Sequence, residues 1–279
     1  MLDSGIIKKI ESFVYSKPRS MQEIAGHVNK NWRTVDRYVS EIEKEFGTIA
    51  TRVFRGGTRG ALKIAYWASV EKLNSSAFQE ELEKQIFQGK RLGDFSAFDI
   101  FQHVEERKKE VEIAVGDNET ASGLKGLQNI LGAAKKQMLV FSGNLSFMNF
   151  KNEKINILKE IEKAIGKDIS VKVVTRVEVG SKENIEKLLS FNAKYGKTLV
   201  EIRHSRQPLR AIIVDKSFFN IKETKLPTGR EEELSENIFL FYTIRDKDWV
   251  EWLTKIFWKM FSSSISAERR LNEINKLKL

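Results

Sequence analysis

The chain has 279 residues, enough for a small domain followed by a medium-sized one. It is 41% hydrophobic and 31% charged, as globular proteins are, and it contains no apolar run of the roughly 18 residues that cross a bilayer. The absence of cysteine excludes disulfides and thiolate metal sites, and with three scattered histidines we expect neither a metal nor another cofactor. The N-terminus lacks a secretory signal pattern, so we expect a cytoplasmic protein with no membrane partner.

The charge of the chain favours a polyanionic partner. Forty-eight Lys and Arg stand against 38 Asp and Glu, which gives a formal net charge of +10. Residues 1–70 contain twelve basic and seven acidic side chains, an excess of five. A solvated, lysine-rich surface would give similar totals, so charge alone does not identify the partner.

Three helices are predicted near the start of the chain. Apolar residues at helical spacing predict the first over residues 4–15. Ser20 followed by Glu23 is a capping-box pattern that opens the second helix, and the polar run 29–31 ends it. The third helix is predicted over residues 32–46.

A β-hairpin is predicted to follow the third helix. Two β-leaning runs, 48–54 and 61–67, flank the turn 55–60, whose glycines suit a hairpin. Three helices followed by a hairpin is the order of a winged helix-turn-helix, which we assign to residues 1–69.

Residues 70–118 are predicted to form a helical connector, in two stretches divided by residues 89–94. The second stretch carries an apolar stripe, made of Phe95, Phe98, Phe101 and Val104. Such a stripe could carry dimer contacts or could pack within its own chain.

Residues 119–279 alternate between strands and helices and end in an amphipathic segment that predicts a C-terminal helix. This alternation predicts a sheet with helices on its faces. The predicted fold class is therefore an α+β winged helix, then a helical connector, then an α/β domain.

The third helix carries side chains that suit DNA recognition. In a helix-turn-helix the early residues of this helix face base edges, where Arg can bind guanine and Asn can bind adenine. The candidate DNA contacts are Lys30, Asn31, Trp32, Arg33, Thr34 and Arg37 on the helix, and Arg52, Arg55 and Arg59 at the hairpin. Asp36 is discordant unless it contacts a cytosine or pairs with a neighbouring arginine. A winged helix that binds protein would show the same core pattern.

The segment 201–215 resembles the signature strand of the phospholipase D superfamily, H-x-K-x-x-x-x-D. Asp215 takes the acid position and Arg210 the lysine position, but Pro208 stands where the nucleophilic histidine belongs. A register that uses His204 instead loses the acid. Since hydrolysis in that family requires the imidazole to attack phosphorus, the resemblance implies a domain that is not an enzyme.

A winged helix joined by helices to a catalytically degenerate phospholipase D-like domain resembles the archaeal TrmB-like transcriptional regulators. The resemblance implies a homodimer whose first domain binds operator DNA and whose second domain, residues 119–279, can sense a small-molecule effector.

Four side chains near strand ends are candidates for an anionic ligand: Arg176, His204, Arg206 and Arg210. They could instead pair with nearby acids. We therefore predict a sequence-specific regulator that binds double-stranded DNA and has a non-catalytic sensor or dimerisation domain. The alternative is a phospholipase D-superfamily phosphodiesterase or nuclease.

Overall fold

The computed structural model describes residues 4–55, 61–68, 75–116, 119–227 and 236–276. The first two ranges form three helices and three strands: α1 (Ser4–Ser16), β1 (Arg19–Ser20), α2 (Met21–Val28), α3 (Trp32–Glu45), β2 (Ile49–Arg55) and β3 (Ala61–Trp67). The strands form an antiparallel sheet in the order β1-β3-β2. The helices and this sheet enclose a small apolar core.

Local sequence signals set the ends of α2. The N–H of Ser20 donates to Oε2 of Glu23 (2.7 Å), and the N–H of Glu23 donates to Oγ of Ser20 (3.2 Å). These reciprocal bonds satisfy two donors that the first turn of a helix leaves unpaired. Asn29 ends α2 in the left-handed conformation, with φ of 54°. Both predicted boundaries of this helix are confirmed.

The predicted helical connector is wrong in its second half. Its described residues form α4 (Ser75–Gln88), a one-turn helix α5 (Phe98–Phe101) and then a strand, β4 (Lys109–Val115). The strand pairs antiparallel with residues 238–244, from Lys109 opposite Ile244 to Val115 opposite Ile238. The charged run 105–110 suggests a helix, although the residues after it include the β-branched Val111, Ile113 and Val115. The partner of this strand lies more than a hundred residues away, and pairing with it overrides the local helix preference.

The apolar stripe in this segment packs inside the chain. Phe95, Phe98, Phe101 and Val104 are at most 6% exposed and belong to one large core. A dimer contact through this stripe is therefore excluded, because the side chains are already covered.

An eight-stranded mixed sheet forms the larger part of the molecule. Its other strands are β5 (Gln137–Phe141), β6 (Ser170–Thr175), β7 (Val200–His204), β8 (Ala211–Val214), β9 (Phe218–Lys225), β10 (Ile238–Ile244) and β11 (Ile265–Ser266). The order is β11-β7-β6-β5-β8-β9-β10-β4, and β5, β6 and β7 are parallel while the other pairs are antiparallel. The prediction of a sheet with intervening helices is confirmed, although β9 was not predicted.

Helices cover both faces of this sheet. They are α6 (Glu119–Ala133), α7 (Ile157–Ile165), α8 (Lys182–Tyr195), α9 (Lys247–Ser263) and α10 (Ala267–Lys276). Alternate residues of β5 face opposite sides: Leu139 packs in the core with α9, and Val140 packs in the core with α6, α7 and α8.

The hairpin β2–β3 packs against the larger part of the molecule. Phe54, Leu62 and Ile64 join the core that contains Phe98 and Tyr242. The division of the chain at residues 69 and 118 stays a prediction, but the two parts share buried surface. Within the described residues, no helix has the length and apolar character needed to cross a membrane.

Candidate functional site

The helix α3 has one buried face and one exposed cationic face. Val35, Val39 and Ile42 are fully buried in the small core. The opposite side exposes Arg33 and Arg37, and Lys30 is exposed just before the helix begins. Lys30, Arg33 and Arg37 lie within eight successive residues, so the structure brings these three predicted DNA contacts to one surface.

Two other predicted contacts on this helix have structural roles. Oδ1 of Asn31 accepts the N–H of Thr34 at 2.8 Å, which makes Asn31 the N-cap of α3. Trp32 is partly buried against the small core, with the Arg33 guanidinium carbon 5.7 Å from its ring centre. The side-chain oxygen of Asn31 is therefore occupied by the backbone of α3. If that oxygen bound an adenine base instead, the helix would lose its N-cap.

The discordant Asp36 is explained by the hairpin. Its carboxylate pairs with Lys63 of β3, with 2.7 Å between Oδ1 and Nζ. The pair ties α3 to the sheet and offsets the negative charge close to the cationic face.

Arg52, another predicted DNA contact, forms an ion pair within the chain. Its two terminal nitrogens donate to the two carboxylate oxygens of Glu106, at 3.0 and 3.2 Å. The hydrogen bonds from Arg52 and Lys109 lower the pKa of Glu106 to about 2. Arg52 therefore joins the hairpin to the segment before β4. Arg55 ends β2, and Arg59 lies outside the described residues.

A second, buried ion cluster joins α2 to β9. Lys225 is buried, and its Nζ lies 3.0 Å from Glu223 and 3.4 Å from Glu23. Against the effect of burial, these two carboxylates raise the pKa of Lys225. Glu223 also accepts hydrogen bonds from Oγ of Ser96 (2.9 Å) and the N–H of Phe98 (3.2 Å).

Asp99 lies beside this cluster and is also buried. Desolvation, and then the negative charge of Glu223, raise its pKa to about 8, while the cations Lys225, Lys17 and Arg19 act in the other direction. Sequence reasoning missed the whole cluster, because its members come from positions between 17 and 225 that local patterns do not connect. In the structure, Glu223 and Lys225 take inward positions of β9, where alternate residues are buried.

Two of the four predicted ligand residues meet at one end of the large sheet. Arg176 follows β6 and donates from Nε to the carbonyl of Gly143 at 3.3 Å. The guanidinium of Arg210 lies against Gly143, where an added Cβ would be 2.3 Å from Nη2. Desolvation and the nearby charge of Arg176 lower the pKa of Arg210 to about 10.

The other two predicted ligand residues lie apart from that pair. Nδ1 of His204 accepts the N–H of Val177 at 2.9 Å, and burial lowers the pKa of His204. Arg206 is exposed and pairs with Glu178 at 3.4 Å. Arg206 thus pairs with an acid, as the alternative interpretation held, whereas His204 bonds to the backbone.

The residues aligned with the phospholipase D motif have local structural partners. Pro208 is buried, and an added Cβ on Gly89 would come within 2.9 Å of its Cγ, so the end of α4 covers it. The carboxylate of Asp215 accepts three backbone N–H groups, from Lys135, Lys136 and Gln137. Asp215 therefore fixes the start of β5.

A cavity of about 710 Å³ opens between α6 and the sheet. Its lining includes Arg210, the turn 142–144 and five phenylalanines, which are Phe141, Phe147, Phe150, Phe218 and Phe241. Of the four predicted ligand residues, Arg210 alone lines it. In the part of the chain that the structure describes, no group of three His, Asp or Glu could hold a metal ion.

Comparison with known proteins finds no family model and no curated protein that matches the sequence. Among solved structures, the phospholipase D family member Nuc of Salmonella typhimurium is 13% identical, with a TM-score of 0.39, over 57% of this chain and 98% of Nuc. NucT of Helicobacter pylori is 14% identical, also with a TM-score of 0.39, over 57% of this chain and 99% of NucT.

A third similar structure spans more of the chain. TrmBL2, an archaeal chromatin protein described as showing a novel mode of DNA binding, is 15% identical with a TM-score of 0.39, over 94% of this chain and 94% of TrmBL2. The chain is thus similar, at low identity, to phospholipase D family members over part of its length and to TrmBL2 over most of it.

Proposed function

We propose that this chain is a transcription regulator that binds double-stranded DNA, with residues 1–69 acting as a winged helix-turn-helix. The observation that carries the proposal is the surface of α3, where Lys30, Arg33 and Arg37 stand exposed while the opposite face is buried. Exposed cations spaced along one helix can meet phosphates and guanine edges together. DNA binding is described for TrmBL2, but the proposal rests on the surface of α3.

Fewer residues contact the DNA in this proposal than the sequence alone predicts. Lys30, Arg33, Thr34 and Arg37 contact the DNA, whereas Asn31 and Trp32 hold the helix in place and Arg52 holds the hairpin on the connector. Arg55 and Arg59 extend the contact to the backbone or the minor groove. The assignment predicts that the DNA surface is centred on α3.

We also propose that the larger part of the molecule does not hydrolyse phosphodiesters and acts as a sensor or dimerisation unit in a homodimer. A proline at the nucleophile position has no group that could attack phosphorus. Its burial under Gly89 supports this, because a reacting phosphate would have to displace the end of α4.

Selection from a random duplex library tests the DNA proposal. The purified full chain should enrich a defined motif at low salt, and two similar half-sites in that motif would report the homodimer. Failure to retain any duplex above background at low salt would contradict DNA binding. A motif without repeated half-sites would contradict only the dimer.

A cleavage assay separates this proposal from the nuclease alternative. We expect the purified chain to leave plasmid DNA and a chromogenic phosphodiester intact. Cleavage that disappears in His204→Ala would establish a phosphodiesterase and overturn the non-catalytic assignment.

A further inference from the structure

The cavity between α6 and the sheet has a floor on β9 and β10 that faces away from the large core. On β9, Phe219 and Ile221 point into the large core, whereas Phe218, Asn220 and Lys222 line the cavity. On β10, Phe241 and Thr243 continue the same surface, since Phe241 pairs with Lys222 and Thr243 pairs with Asn220 across the strands. The sheet thus presents aromatic and polar side chains to an open space.

The opposite wall of the cavity leaves room for a ligand. Gly123, Gly126 and Ala133 of α6 face it with little or no side chain. A Cβ on Gly123 would reach ordinary contact with Cζ of Phe241 at 3.5 Å. A volume of about 710 Å³ lies within the roughly 300–1,000 Å³ that small-molecule sites occupy.

One end of the cavity carries a cationic side chain, Arg210, that forms no ion pair with a carboxylate among the described residues. Arg210 donates from Nη1 to the carbonyl of Leu209 at 2.7 Å. Arg176 places a second positive charge nearby, on the carbonyl of Gly143. Two neighbouring guanidinium groups without an acid between them favour an anion.

The acids of the cavity lie at its other end. Glu110 and Glu112 belong to β4, and Glu110 pairs with Arg245 at 3.1 Å. Since β8 and β4 are three strand spacings apart, the strand that carries both glutamates lies about 14 Å from β8, which begins directly after Arg210. They do not neutralise the cationic end.

The geometry points to a binding site for a small organic anion with a flat apolar body. The charged group, a carboxylate or a phosphate, lies on Arg210, and the body lies among Phe147, Phe150, Phe218 and Phe241. Phenylalanine rings favour such a body through apolar and stacking contact. The inference gives a ligand class to the sensor role and rests on that role, but it does not depend on the surface of α3.

Calorimetry on the full chain without DNA tests this inference. The probes are benzoate, phenyl phosphate, the neutral benzyl alcohol and inorganic phosphate. We expect one of the two aromatic anions to bind at least roughly tenfold more tightly than benzyl alcohol and than inorganic phosphate, because each of those lacks one half of the recognised chemistry. Whether benzoate or phenyl phosphate binds better identifies the charged group.

Variants locate the bound probe. Arg210→Met should weaken the better anion by roughly tenfold or more, and Arg269→Met, which removes an exposed charge on α10, should leave its affinity unchanged. Ala133→Trp should block the cavity without altering a charge, so it tests the site even if Arg210→Met fails to fold.

Two results would overturn the inference. One is that no aromatic anion binds at millimolar concentration, and the other is that binding survives in both Arg210→Met and Ala133→Trp. DNA binding is measured on the same preparation. If the chain binds DNA but no anion, the proposed ligand is wrong and the proposed DNA binding stands.

Discussion

Charged side chains serve two different purposes in two regions of this molecule. On α3 the arginines are exposed, and the helix is held by an apolar face that does not involve them. On the large sheet Lys225 is buried, and two carboxylates hold it in place. Exposed charges contribute little to stability but can act together on a polyanion, whereas buried charges are costly to disturb.

We expect the largest loss of stability from a change at Lys225, because it is a buried charge. Lys225→Met would leave the buried Glu223 and the half-buried Glu23 without this cation, so the free energy of unfolding should fall by about 3–5 kcal/mol. Urea unfolding measures this change. The matched control is Lys222→Met on the cavity side of the same strand, and an equal loss in both variants would break the distinction between the two faces.

A second buried charge gives a pH-dependent effect. Asp99 keeps its proton in the folded chain up to about pH 8, whereas its ordinary pKa is 3.8. Between about pH 4 and pH 8 the folded state therefore holds a proton at Asp99 that the unfolded state has lost. The contribution of Asp99 to stability falls as the pH rises through this range, and it levels off above about pH 8.

Replacing the carboxyl group removes this dependence. Asp99→Asn keeps an acceptor for Nε2 of Gln102, so it should match the wild type at pH 4 and exceed its stability by several kcal/mol at pH 8. Thermal unfolding at the two pH values measures the difference. A variant less stable than the wild type at pH 8 would show that the charged form of Asp99 stabilises the cluster.

Gly143 offers a sharper test of the cationic end of the cavity. An added Cβ would meet the Arg210 guanidinium at 2.3–2.9 Å, and the flexible end of that side chain can move away. Gly143→Ala should therefore change the free energy of unfolding by less than about 1 kcal/mol while weakening binding of the better aromatic anion. Unchanged anion affinity would mean that the position of Arg210 on Gly143 is not what the ligand recognises.

Local signals in the sequence predict the N-terminal elements well, because each depends on neighbouring residues. The capping box of Ser20 and Glu23 acts over three positions, and β2 pairs with β3, the next strand along the chain. The strand β4 is not predicted because its partner is distant in sequence. The strand β9 pairs with its chain neighbours β8 and β10, and it is not predicted because charged residues occupy its second half. At Glu223 and Lys225, the inward positions of β9 are charged, so the hydrophobic alternation that marks a strand is absent.

The candidate site divides in the same way. The exposed arginines of α3 could be predicted from helical spacing, and they are found on one surface. The cap made by Asn31, the Arg52–Glu106 pair and the cavity could not be predicted in full, since each depends on which atoms meet after folding. The sequence shows where the cationic residues are, but it does not show which of them form ion pairs within the chain, as Arg52 does with Glu106.

The salt dependence of DNA binding tests the central claim most directly. Each phosphate contact adds about 0.9 to the slope of log affinity against log salt concentration. Arg33→Ala together with Arg37→Ala should lower that slope by about 2 and weaken binding at every salt concentration, with stability unchanged within about 0.5 kcal/mol. The control, Lys187→Ala with Arg269→Ala on α8 and α10, removes the same charge elsewhere and should keep the wild-type slope. Equal slopes and affinities for the α3 variant and the wild type would contradict DNA binding through α3.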